Sequence, residues 1–460
     1  MQPSTVRCGS TGIVLPIDEM ERSELTVPDA VYGTFRLPSF VRAVTEAPEF
    51  MRLKYLKQLG VSNAVFDSAR HTRYDHSLGA CYLSGRLLDA VNKTLNPPVT
   101  EDERKCVMLA AALHDIGHGP FSHLWEKFVE VYGAPWRHER SSVELAQRVL
   151  DRLENVSVKQ IALICALIRG NAADLLTSDR QFLAHIVSSD VDVDRCDYLQ
   201  RDAHHVPGVI EPSRPFRQMF DRVRVVTVEG KARLAYHWQD YPLVYEMACA
   251  RQAFHRRCYQ DVEVLGAELM MLDVMHEAER AGFRFARDGN SEPLSKVHDK
   301  PELFRYLNDN ITSELAASKL PGLDRAKALI ARLQSKDLYK EIIRFSIDMI
   351  EEVNKFNHQQ GKPIVAQAFR YIKSTKQWFG SFNVTFYKPS LAKGDDDDDD
   401  VAVVSLEEAR DLNHSNTVTG ESAEEIKEYI IYCTDTNPTV HSTAQQYFAK
   451  LRGGSAAKES

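Results

Sequence analysis

The chain has 460 residues, 43% of them hydrophobic, which is enough to bury a large core and excludes wholesale disorder. Its 57 Lys and Arg against 65 Asp and Glu leave a formal charge of −8, which argues against a general nucleic-acid coat but not against a local basic pocket. Six of the acidic residues form one unbroken run, Asp395–Asp400, so the remainder is close to neutral.

In chain order, residues 1–24 read as a loose arm. They lack the apolar core of a secretory signal and carry Asp18, Glu19, Glu21 and Glu24. Residues 25–289 are dense, apolar and mostly helical in spacing. Within them Val223–Tyr236 holds two β-branched runs around Glu229-Gly230, a hairpin signal. Asp288–Pro301 is a polar connection containing Gly and Pro. Residues 302–389 read as a second lobe, helical at first, as Leu323, Ala326, Leu329 and Leu333 show, with one or two strands between Val365 and Tyr387. Residues 390–424 are of low complexity and predicted to be disordered, the Asp run being a solvated spacer or, as an alternative, a tethered mimic of polyphosphate. Residues 425–460 read as a terminal helix region, interrupted at Pro438, and a tail. The fold class is therefore mainly α, with a small β-hairpin and an α+β C-terminal lobe.

Eight scattered cysteines without a C-x-x-C pair suggest reduced thiols in an intracellular protein, in the cytoplasm or nucleus or else in the mitochondrion. No stretch approaches the roughly 18 apolar residues of a membrane span, so no membrane partner is expected.

Three segments carry chemistry. His114-Asp115 follows the apolar run Val107–Leu113 and precedes a Gly/Pro stop, which puts both side chains at the last turn of a helix, within reach of one ion. Imidazole with carboxylate suits Zn, Fe or Mn better than Ca. Such a pair also occurs as a simple hydrogen bond at a helix end. Upstream, Arg70–Gly79 is a charged cluster entering an apolar helix. Downstream, Asp190, Asp194, Tyr198, Arg201 or Asp202, and His205 share one face if that segment is helical throughout. Asp190, Asp192, Asp194 and Asp197 would repel one another unless cations neutralise them.

The order His76, His114-Asp115, Asp194 resembles the HD superfamily of metal-dependent phosphohydrolases. HDIGHGPFSH at 114–123, RYDHSLG at 73–79, VDVDRCDYLQRDAHH at 191–205 and RQAFHRRCYQ at 251–260 resemble its deoxynucleoside triphosphate triphosphohydrolases, in particular the eukaryotic branch that pairs a sterile-alpha-motif domain with the HD domain. The resemblance runs from about Leu25 to Phe285 and continues more weakly through Ser335–Lys340. It implies a helical phosphohydrolase fold over 25–289, with His76, His114, Asp115 and Asp194 holding a divalent Fe, Mn or Zn and with Mg on the phosphates. It implies His123 as general acid, alongside His118 and the His138-Glu139 pair. Arg73, Arg195 and Arg251 would face the phosphates, with Tyr259 on the same helix face as Arg251. Gln58 and Leu59 would crowd the sugar edge, Tyr198 would lie beneath the sugar, Asp202 would accept from its 3′-hydroxyl, and Gln260 would stand near base or sugar. A dNTP substrate, a nucleotide activator and a homodimer or tetramer are implied partners.

The match also departs from that branch. About 24 residues precede it, too few for a sterile-alpha-motif domain. Met51 and Lys54 stand where Gln and Arg are usual, and Leu25-Thr26 where a Lys-Val pair is usual, which weakens the regulatory parallel. Alternatives are a non-catalytic regulator binding nucleotides or single-stranded nucleic acid, or an HD phosphodiesterase or 5′-nucleotidase.

Overall fold

A computed structural model describes residues 24–133, 136–361, 364–373, 379, 382–389, 401–413 and 425–456. The arm expected before Glu24 and the run Asp395–Asp400 lie outside the described residues.

The described chain opens on an antiparallel hairpin, β1 (Leu25–Asp29) and β2 (Gly33–Leu37), which the sequence reading missed. Asp29 closes its turn by accepting the N–H groups of Val31 and Tyr32 at 2.8 and 2.9 Å. Val27, Phe35 and Leu37 point inward. After α1 (Ser39–Thr45) comes α2 (Arg73–Val91), started by a capping box between Thr72 and Asp75. Thr100 and Glu103 start α3 (Glu101–Leu113) in the same way. Then follow α4 (His123–Glu130), α5 (His138–Leu150), α6 (Val158–Arg169), α7 (Phe182–Val187) and α8 (Val193–His205). Asp192 caps α8 by accepting from Arg195 N, so the helix begins after Asp190 and the long acidic face expected from Asp190 onward starts only at Asp194.

The hairpin predicted around Gly230 is present as β3 (Arg224–Val228) and β4 (Lys231–His237). Next come α9 (Tyr241–Phe254), a π-helical turn His255–Tyr259, and α10 (Val262–Arg280). The polar connection holds a second hairpin, β5 (Arg284–Arg287) with β6 (Asn290–Pro293). It leads to α11 (Ile311–Ala317) and α12 (Asp324–Gln334), whose Ala326, Leu329 and Leu333 are buried as the spacing predicts.

The C-terminal part consists of β7 (Lys340–Phe345), α13 (Ile350–Gln359), β8 (Val365–Ile372), β9 (Thr385–Pro389), β10 (Val401–Val404), α14 (Leu406–Leu412), β11 (Ile426–Cys433) and α15 (Pro438–Ala456). Three expectations are corrected here. Residues 401–412, read as disordered, form a strand and a helix, because Val401–Val404 pairs with β9 and β9 pairs in parallel with β4. Residues 426–433, read as helix, form the central strand of the sheet β7-β11-β8, antiparallel to both neighbours. The boundary drawn between a catalytic domain and a lobe from 302 is not a boundary in packing, because one hydrophobic core runs from Val27 through α12 to Tyr432. A separate small core lies between that sheet and the helices α13 and α15, around Phe345, Phe356, Ile431 and Phe448. No helix among the described residues is long and apolar enough to cross a membrane.

Candidate active site

Three helices converge on one acidic and imidazole nest. His76 lies one turn into α2, His114 and Asp115 terminate α3, and Asp194 lies in the first turn of α8. His76 Nε2 is 3.2 Å from His114 Nε2 and 3.1 Å from Asp194 Oδ1. His114 Nε2 is 3.5 Å from Asp194 Oδ1 and 3.6 Å from Asp115 Oδ1, and the other Asp115 oxygen is 3.6 Å from His76 Nε2. A transition ion that binds N and O donors at about 2.0–2.2 Å sets neighbouring donors roughly 3–3.5 Å apart, so these four residues fit a divalent metal.

Electrostatics agree with that fit. Burial by itself lowers the pKa of His76, but the hydrogen bonds it donates to Asp194 and Asp197 outweigh it and raise the value to about 10. Burial opposes ionisation of Asp115 too, yet His114, Arg73 and His118 hold its carboxyl well below the usual range. The nest stabilises positive charge at its centre. Each neighbouring aspartate has its own partner: Arg195 for Asp192, Arg201 and His76 for Asp197, and the Asn383 N–H for Asp190. These partners offset part of the repulsion expected among the four acids, although burial, helped by Asp194, still pushes the Asp192 carboxyl up.

Beside the nest stands an imidazole cluster, His118, His123 and His138. His118 is buried, its Nε2 lies 3.3 Å from Asp115 Oδ1, and its ring stacks on His138 at 3.8 Å. Burial, then the charges of Arg73 and His138, push its pKa well below the ordinary value, so it is a neutral ring. His123 crosses both rings edge-on at 5.0 and 5.1 Å, with its side chain 68% exposed.

The carboxylate that holds this cluster is Glu126, not the expected Glu139. His138 Nδ1 donates to Glu126, and His123 Nδ1 is 3.8 Å from the same oxygen. Glu139 is 3.5 Å from His138 Nδ1 with its side chain 60% exposed, because the second residue of α5 turns outward. Glu126 escaped the sequence reading because its partner is twelve residues away across a turn, although its place three residues after His123 was visible.

Burial resists the ionisation of Glu126, but hydrogen bonds from His123 and His138 hold its carboxyl well below the usual range. A depressed carboxyl contributes stability that is full above its unfolded value, about 4.3, and is lost as pH falls through the folded value. Glu126→Gln is therefore expected to lower the denaturation midpoint at pH 7, with a deficit that is constant above about pH 4.3 and shrinks progressively as the pH falls below it. A deficit that stays constant below that pH would contradict the assignment.

The other expected substrate residues are placed unequally. Arg73 lies at the nest, donating to Asp115, to Ser122 Oγ at 2.9 Å and to the Gln58 carbonyl at 3.5 Å. Arg195 turns instead to Asp192 and the Ser189 carbonyl, because the cap of its own helix offers the nearer charge. Arg251 reaches Tyr198 Oη at 2.7 Å, and the Tyr198 ring crosses His76 at 6.5 Å. Asp202 is buried, with one oxygen held by His71 Nε2 at 2.7 Å and the other by the Tyr259 hydroxyl. Gln58 Oε1 is buried with no hydrogen-bond partner among the described residues, while Leu59 packs on the core. The Gln260 amide is taken up by the backbone of β8, giving to Tyr371 O and accepting from Tyr371 N at 2.9 Å each, which turns it from the nest.

Arg52 and Asp309 also escaped the sequence reading. Arg52 is buried and donates to the carbonyls of Ile116, His118 and Leu307 at 2.8, 2.6 and 3.0 Å. Asp309 accepts from the N–H groups of Lys57 and Phe121 at 3.0 and 2.8 Å. Both fasten the loop after Asp115 to the segment before α11, and neither lies in a motif that marks it.

Residues 73–202 match the HD domain family, a span that contains all four residues of the nest and the imidazole cluster. The chain is 29% identical over 369 residues to the deoxynucleoside triphosphate triphosphohydrolase SAMHD1 of Bos taurus, covering 74% of this chain and 62% of that protein. It is 28% identical over 349 residues to the SAMHD1 homolog of Dictyostelium discoideum (72% and 64%), and 24% identical over 371 residues to a putative HD domain-containing protein of Acanthamoeba polyphaga mimivirus (74% and 76%). The chain thus spans less than two thirds of the SAMHD1 proteins it matches.

Proposed function

We propose that the chain hydrolyses deoxynucleoside triphosphates to the deoxynucleoside and inorganic triphosphate, and thereby limits dNTP pools. The observation that carries this is the four-residue nest with an imidazole cluster directly beside it. A hydrolase needs both, and a binding regulator has no use for the second. In this reading His76, His114, Asp115 and Asp194 hold a divalent Fe, Mn or Zn, and Mg accompanies the phosphates. A bound ion supplies Lewis-acid polarisation of a phosphoryl oxygen and an acidified water.

The rest is done by the chain. The 5′ oxygen leaves poorly unless protonated, and His123, the exposed imidazole of the cluster, is the donor. Glu126 and His138 orient that ring, and neutral His118 abuts Asp115. Arg73, which donates to Asp115, and Arg251, which donates to Tyr198 Oη, answer the phosphate charge. In this reading Tyr198 and the Asp202–Tyr259 pair form the sugar side, and Gln58 and Leu59 crowd the edge where a 2′-hydroxyl would stand.

The test is product analysis of purified protein with each dNTP and NTP, with Mn, Fe or Mg, and with and without GTP and dATP. Inorganic triphosphate from a dNTP is the expected product. Monophosphate with pyrophosphate, or no turnover under any of these conditions, sinks the reading.

A further inference from the structure

Arg201 is among the largest side chains that are wholly buried. A guanidinium in a core is costly unless its donors are met by charge. Arg201 gives Nε and Nη2 to Asp197 at 2.9 and 3.0 Å and Nη1 to Asp29 Oδ2 at 2.8 Å. Asp197 Oδ2 accepts in turn from His76 Nδ1 at 2.8 Å. All four side chains are at most 3% exposed. Asp29 meanwhile closes the turn of the β1–β2 hairpin with its other oxygen. An unbroken line of charged hydrogen bonds therefore joins that turn to a ring whose far nitrogen faces the nest.

Helix α2 makes room for the line at Gly79. A Cβ there would lie 1.9 Å from Asp197 Oδ1 and 2.4 Å from Arg201 Nη2. The hydrolysis proposed above uses neither Asp29, Arg201 nor Asp197.

We propose that Asp29, Arg201 and Asp197 are positioning residues that make the ion affinity of the nest depend on docking of the β1–β2 hairpin. This rests on the metal reading of the four-residue nest, not on the substrate. Asp197 accepts the Nδ1 proton of His76, which fixes the ring and leaves Nε2 aimed at the nest. Asp29 neutralises part of the Arg201 charge. Without it, a buried cation acts on Asp197 and on the nest, and a second cation binds there less well. By linkage, an ion in the nest tightens the docked hairpin by the same factor.

Asp29→Asn separates the roles, since its amide oxygen still accepts from Val31 and Tyr32 while the charge is gone. Binding is read with Mn²⁺ alone, by titration against a competing chelator. Asp197→Asn is expected to weaken Mn²⁺ binding about 10- to 100-fold, the usual range for a partner of a metal ligand, and Asp29→Asn, one link further, about 3- to 10-fold. Mn²⁺ is expected to slow amide exchange at Val31 and Tyr32 in the unsubstituted protein and not in Asp197→Asn. Phe448→Leu, a destabilising change in the separate C-terminal core, is expected to bind Mn²⁺ normally.

The relay is overturned if Asp29→Asn binds Mn²⁺ within twofold of the unsubstituted chain, or if Phe448→Leu weakens binding as much. An unsubstituted chain that takes up no Mn²⁺ overturns the nest and the relay together. One that binds Mn²⁺ but releases no triphosphate overturns the hydrolysis and leaves the relay standing.

Discussion

Asp115→Asn is expected to empty the nest of metal and to cut dNTP turnover by roughly 1000-fold, since a catalytic ion contributes several kcal/mol of transition-state charge stabilisation. Asparagine is chosen for a structural reason. Arg73 is buried against Asp115, and a side chain without an acceptor there would leave an unpaired guanidinium, at about 3–5 kcal/mol. The amide oxygen of Asn still accepts from Arg73, so the protein should remain folded while the nest loses one of its two carboxylates. Metal content after dialysis and turnover on one dNTP are the two readouts. Retained metal with lost turnover would move Asp115 from ligand to positioning group. Retained turnover would end the metal assignment.

Gly117→Ala is expected to be the most damaging single methyl group in the site. A Cβ at Gly117 would sit 2.1 Å from Ser142 N, 2.5 Å from His138 O and 2.6 Å from Ser141 C. These are backbone atoms of the first turns of α5, so no rotamer change relieves the clash. The Gly117 N–H also donates to Ser142 Oγ at 2.9 Å. The loop and the helix must separate, which costs about 3 kcal/mol and pulls the stacked His118 and His138 rings apart. The expected result is a lower denaturant midpoint together with lost turnover. Gly85→Ala is the control. Its Cβ meets only the flexible ends of Met108 and Arg104, at 3.1 and 3.4 Å, and gains up to about 1 kcal/mol of helix propensity. Equal damage from the two changes would contradict the backbone argument.

The four residues of the nest were legible as a set because their motifs resemble those of the HD superfamily in the same order, and the structure brings them together. The paired β3–β4 strands were legible for a local reason, two β-branched runs around Glu229-Gly230. What was not legible depends on partners distant in sequence. Ile426–Cys433 was read as part of a terminal helix region, yet it lies between two strands with Ile431 and Cys433 facing one core and Ile430 and Tyr432 the other. Val401–Val404 fell in a low-complexity segment around the Asp run that was read as disordered, and it forms a strand by pairing with β9. Asp197 stood in plain view among four acids, but its role appears only when Arg201, His76 and the hairpin at Asp29 are seen around it. The charge of −8 pointed to a tail, whereas the working acidity is the buried nest and its neighbours.

The hairpin relay also places the departure at Leu25-Thr26 on β1, the strand that carries Asp29 at its end.

The most direct test of the central claim is hydrolysis of a dNTP in ¹⁸O-water by the metal-loaded protein, followed by mass analysis of both products. One ¹⁸O is expected in the released inorganic triphosphate and none in the deoxynucleoside, because water attacks the α-phosphorus and the P–O5′ bond breaks. Label in the deoxynucleoside, or release of pyrophosphate with a labelled monophosphate, would contradict the proposed hydrolysis.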